Sequence, residues 1–137
     1  MKFKKGFTLL ELIVVIAIIG ILVVAISAFL GSARNQGKDS AIQSEMKSLV
    51  NQINIVVGGG SYATVFDGAS WSSSDPKIQQ LLTSINRYSS VHTANADVNA
   101  WAVQVQLTSD TSKYFCVDTS GKGTTSETAL GTATVCP

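Results

Sequence analysis

Charge is missing from a long stretch near the start of this chain, and catalytic chemistry is missing throughout. From Leu12 to Ala33 no side chain is charged, and the residues are nearly all Ile, Val, Leu, Ala and Phe. There is one histidine, His92, in a polar stretch, and a lone His there reads as a surface residue. Two cysteines, Cys116 and Cys136, with that single His supply too few ligands for a closed zinc site. The Gly-Lys in CVDTSGKGTT has Cys116 and Gly123 where a phosphate-binding loop needs Gly and Ser or Thr, so that reading fails. Asp110, Asp118 and Glu127 lack EF-hand spacing and read as solvated loop acids. The net charge of +1 gives no electrostatic footprint for nucleic acid. No set of residues resembles an active site, and no cofactor or metal is expected.

What is present begins with the uncharged run itself. Its 22 positions suffice to cross a membrane, because a helix rising about 1.5 Å per residue needs about 20 apolar residues to span the hydrocarbon. Lys2, Lys4 and Lys5 precede the run, whereas Arg34 and Lys38 follow it beside Asp39. The positive-inside bias puts Met1 in the cytoplasm and the C-terminal part outside. A secretory signal peptide has an apolar region of about 7–15 residues, shorter than this one. A plain single-pass anchor is the simplest alternative. Against it stands Glu11, a carboxylate at the cytoplasmic edge of the run, because ionisable residues in spanning helices are costly and mark function by default.

Outside the membrane, disulfides persist. Joining Cys116 to Cys136 would close a loop of about 20 residues and contribute about 3 kcal/mol in the chain-entropy model.

After Ala33 the pattern becomes amphipathic. Ile42, Met46, Leu49, Ile53 and Val56 recur at helical spacing, and Gly58-Gly59-Gly60 ends the helix. One helix is predicted from Phe7 to Val57, about 75 Å long, with Gly20, Gly31 and Gly37 as packing notches or places of bending. The Gly/Ser-rich stretch from Gly58 to Ser74 reads as an ordered loop anchored by Tyr62, Phe66 and Trp71. Asp75-Pro76 then offers an N-cap and an N1 proline to a second helix carrying Ile78, Leu81, Leu82 and Ile85. Trp101, Val103, Val105 and Leu107 alternate with polar or small residues as in a half-buried strand. Tyr114–Asp118 and Thr132–Cys136 read as further strands, and Arg87–Thr93 as another. The fold class is α+β, a long helix packed on a small antiparallel sheet.

The stretch KKGFTLLELIVVIAIIGIL closely resembles the type IV pilin superfamily. Basic residues, Gly6, then Phe7-Thr8-Leu9-Leu10-Glu11 and a long apolar helix look like its leader and processing motif. The resemblance implies cleavage between Gly6 and Phe7 by a prepilin peptidase, N-methylation of Phe7, and an assembly role for Glu11. It implies a leader over 1–6, a transmembrane and filament-core half-helix over 7–33, an amphipathic half over 34–57, and an outer domain over 58–137 with a disulfide-bounded C-terminal region. Where many pilins carry a proline in the apolar run, this chain has Ala28.

The implied function is a structural filament subunit, held in the inner membrane as a prepilin and then homopolymerised into an extracellular pilus. An assembly ATPase and a platform membrane protein are the implied partners. Adhesion, twitching motility or DNA uptake would be properties of the filament. Two alternatives share the N-terminus. One is a type II secretion pseudopilin, whose major form often holds calcium where this chain has its cysteines. The other is a minor pilin binding DNA or a surface receptor through Arg87, Tyr88, Lys113, Tyr114 and Lys122.

Overall fold

The computed structural model describes residues 6–67 and 71–137. The lysines of the expected leader, and residues 68–70 of the Gly/Ser-rich loop, lie outside the described residues. The chain divides into two compact units, residues 1–34 and 35–137, and one helix, α1 (Leu9–Val57), contributes to both. It begins two residues later than predicted because Thr8 serves as its N-cap. The helix is assigned without a break through Gly20, Gly31 and Gly37, and a Cβ at any of them would meet nothing within 4 Å. None of the three is a packing notch within the described chain.

In the first unit the large apolar side chains from Phe7 to Leu30 are between 48% and 91% exposed. This segment, of mean hydropathy 3.3, is long and apolar enough to cross a membrane, and it is unburied among the described residues.

The second unit packs the amphipathic part of α1 against a sheet. Ile42, Met46, Leu49 and Ile53 are fully buried there, each contributing about 1.5–3 kcal/mol. The stripe differs from the predicted one at its end: Val56 is 44% exposed, and Val50 is buried in its place. A strict 3–4 alternation drifts around a 3.6-residue helix, so the contact face passes from one row to the next. Gly58 and Gly59, at φ of 53° and 88°, end α1 with the left-handed backbone that glycine adopts at least cost.

Helix α2 (Pro76–Asn86) starts where the sequence places it. Asp75 accepts bonds from the amides of Lys77 and Ile78 at 3.0 and 2.9 Å, and Pro76 occupies N1, where its missing N–H costs nothing. Its buried face is Ile78, Leu82 and Ile85.

The sheet is an antiparallel meander in the order β1-β2-β3-β4, made of His92–Ala96, Trp101–Gln106, Tyr114–Asp118 and Gly123–Ser126. Trp101, Val103, Val105, Phe115 and Val117 face the helices in the core. Two strand expectations are corrected. The first strand lies at His92–Ala96, so only His92 and Thr93 of Arg87–Thr93 are strand, and Arg87 and Tyr88 form the turn that follows α2. Thr132–Cys136 is no strand, because its backbone bonds to side chains: Ala133 O accepts from Asn95, and Cys136 N donates to Asp118.

Candidate functional site

Glu11 sits in the first turn of α1, and its surroundings follow from Thr8 three residues earlier. The Thr8 amide and hydroxyl donate to Glu11 Oε2 at 2.8 and 3.0 Å, while the Glu11 amide donates to Thr8 Oγ1 at 3.2 Å. This is a capping box, in which two otherwise orphaned helix-terminal donors are satisfied reciprocally. It engages one carboxylate oxygen, and the side chain remains exposed. Phe7, 91% exposed, precedes it, and a Cβ on Gly6 would meet nothing within 4 Å. Gly6, Phe7 and Glu11 thus lie together at one helix end, with no partner elsewhere in the fold among the described residues.

The other expected site residues lie on the face of the sheet turned away from the helices. Cys116 and Cys136 are joined. Around that bond the C-terminal loop is held by buried polar side chains. Gln104 accepts from Leu130 N at 2.7 Å and donates to Thr128 O at 2.8 Å. Asn95 donates to the carbonyls of Gly131 and Ala133, and Asp118 accepts from the amides of Cys136 and Ser120. Burial pushes the Asp118 carboxyl up, but these bonds and the Ser120 hydroxyl outweigh it and leave the group below its usual range. The second face of β2, expected to be solvated, is therefore covered, and Gln104 is only 2% exposed. Cys116, two places from Asp118 and opposite Gln104 in register, is the sequence signal that could have placed the loop there.

Asp39 is the residue that sequence reasoning missed. It lies three positions before Ile42 on the buried stripe and is 6% exposed. Its oxygens accept from the amide and hydroxyl of Thr108 at 2.6 and 2.8 Å, and from the amide of Ser109 at 3.0 Å and its hydroxyl. Thr108 Oγ1 also lies 3.0 Å from Asn35 O. The loop after β2 is thereby fastened to α1.

The residues considered for ligand binding do not assemble. His92 is half-buried instead of on the surface, stacked on Trp71 with centroids 3.9 Å apart and Nε2 3.0 Å from Asn86 Oδ1, and burial lowers its pKa. Asp110 bridges Lys113 at 3.0 Å, while Asp118 serves the C-terminal loop. No group of three or more His, Cys, Asp or Glu that could hold a metal occurs among the described residues. Tyr88, named for a binding patch, packs on the core.

Residues 1–27 match the family model of the prokaryotic N-terminal methylation motif, the type IV prepilin signature. No curated protein and no solved structure matches the chain. The motif supports a protein of the type IV pilin and pseudopilin class, which is structural and not enzymatic. It implies processing by a prepilin peptidase and assembly into a filament, and with the apolar helix it fits a membrane-anchored pilin.

Proposed function

We propose that this chain is the structural subunit of a type IV pilus, made as a prepilin with a leader over residues 1–6. Residues 7–33 are the spanning and filament-core half of the helix, 34–57 its amphipathic half, and 58–137 the outer domain. One observation carries the reading: the prepilin signature coincides with an apolar helical segment that is unburied among the described residues. A bilayer covers such a surface in the precursor, and a bundle of the same helices covers it in a filament. The subunit is inserted with its N-terminus inside, cut before Phe7, methylated, and extracted into a homopolymer by an assembly ATPase and a platform membrane protein.

Glu11 has a defined part in this sequence of events. Cleavage creates a positive amine at Phe7, and in a helix bundle that amine can belong to a neighbouring subunit. A buried ion pair of this kind sets axial register more than it adds stability. Intact-mass and N-terminal peptide analysis of the protein from cells tests the reading. The expected product starts at Phe7 and carries one added methyl. A chain still starting at Met1, or cut near Ala28, contradicts it.

A further inference from the structure

Helices α1 and α2 enclose a groove of about 340 Å³ within the second unit. Small-molecule sites begin at about 300 Å³, so it has room for a ligand of modest size. Its walls are joined at one end, where the Ser84 hydroxyl donates to Glu45 Oε1 at 3.0 Å. From that bond the α1 wall runs two turns on to Gln52 and the α2 wall two turns back to Lys77, about 10 Å along each helix. The groove therefore carries a carboxylate at one end and an ammonium at the other.

The two charges do not satisfy each other. Lys113 and Asp110 form an ion pair, whereas neither Glu45 nor Lys77 forms one among the described residues. Ser84 engages one oxygen of Glu45 and so orients the carboxylate, while Oε2 accepts no hydrogen bond among the described residues. Between the ends, the Gln52 and Gln80 amides each offer donors and an acceptor, and half-buried Leu81 offers an apolar surface.

That arrangement selects by charge spacing. A lone anion at Lys77 leaves Glu45 unmatched, and a lone cation at Glu45 leaves Lys77 unmatched. Among the described residues no aromatic side chain lines the groove, so a base or a sugar has no ring to stack on. An extended peptide advances about 3.3 Å per residue, so about three residues bring a terminal ammonium and carboxylate to the spacing of the groove's ends. The peptide groups between them suit the two amides.

We propose that the α1–α2 groove binds a short peptide with free termini, its ammonium on Glu45 Oε2 and its carboxylate on Lys77. Gln52 and Gln80 bond to its backbone, and Leu81 packs on a side chain. This site goes beyond the filament reading and does not depend on it, since every residue that lines it belongs to the second unit.

The test uses the full chain in detergent micelles, with tri-alanine as the probe and NMR of the Gln52 and Gln80 side-chain amides as the readout. Tri-alanine should shift both resonances saturably. Acetylating its N-terminus or amidating its C-terminus should each weaken binding about tenfold, the scale of losing one charge-assisted hydrogen bond. Glu45→Gln keeps an oxygen for Ser84, so the walls stay joined. It should abolish discrimination against the acetylated peptide and retain that against the amidated one, and Lys77→Met should show the reverse pattern. Unchanged backbone amide shifts away from the groove report that each variant is folded. No saturable shift with tri-alanine, equal affinity for the blocked peptides, or variants that discriminate as the wild-type chain does overturns the proposal.

Discussion

Asp39 sets the residue scale, because one carboxylate there joins two parts of the fold. Burial raises its pKa, and the bonds from Ser109 and Thr108 together outweigh that and hold it below the ordinary carboxylate value. The unfolded chain therefore takes up this proton first as pH falls. The stabilisation from Asp39 is complete above the unfolded value of about 3.9 and is lost as pH drops through the depressed folded value. Asp118 acts in the same direction. Asp110 lies on the exposed surface with its pKa lowered to about 2 by the Ser112 hydroxyl first and Lys113 second, and an exposed pair of this kind adds little. Asp39→Asn should cost about 2–3 kcal/mol near neutral pH, since one of its acceptor oxygens becomes a donor facing donors. Urea melts of the micellar protein from pH 6 to 2.5 should show a flatter acid limb for the variant; an unchanged limb would remove Asp39 from the account. An acid beside Lys38 reads as surface charge, and only the position three before Ile42 hints otherwise.

At the scale of elements, local chemistry was legible where it was complete within a few residues. Asp75-Pro76 carries its own cap, and α2 begins there. The C-terminal segment lacks that self-sufficiency. Its valine and threonines suit a strand, but Asn95, Gln104 and Asp118 satisfy its backbone as a loop. Two variants separate what holds it. Cys136→Ser should lower stability by about 2–4 kcal/mol by releasing the 20-residue loop, leaving membrane insertion intact; free thiols in the unreduced wild-type protein would contradict the disulfide. Gln104→Leu keeps the disulfide but leaves Leu130 N and Thr128 O without their partner, at a cost of about 1–3 kcal/mol. Hydrogen exchange should then accelerate at Leu130 while β2 and β3 stay protected. Uniform acceleration would mean that Gln104 supports the whole sheet.

At the scale of the whole molecule the chain joins a packed unit to an apolar segment that is unburied among the described residues. Glu11→Ala should leave insertion and Gly6–Phe7 cleavage largely intact while sharply reducing the filament fraction sheared from cells. Normal amounts of regular filaments would show that Glu11 is a tolerated interfacial acid without a register role. The sequence by itself determined the apolar segment long enough to cross a membrane, the prepilin signature, the second helix and the sheet's central strands, because contiguous residues carry those signals through length, spacing and alternation. The tertiary structure decided the burial of Asp39, the covering of Gln104, the stacking of His92 on Trp71 and the loop conformation around Cys136. Each of these depends on a partner distant in the chain, and the burial of a polar group is acceptable only once that partner arrives to satisfy it.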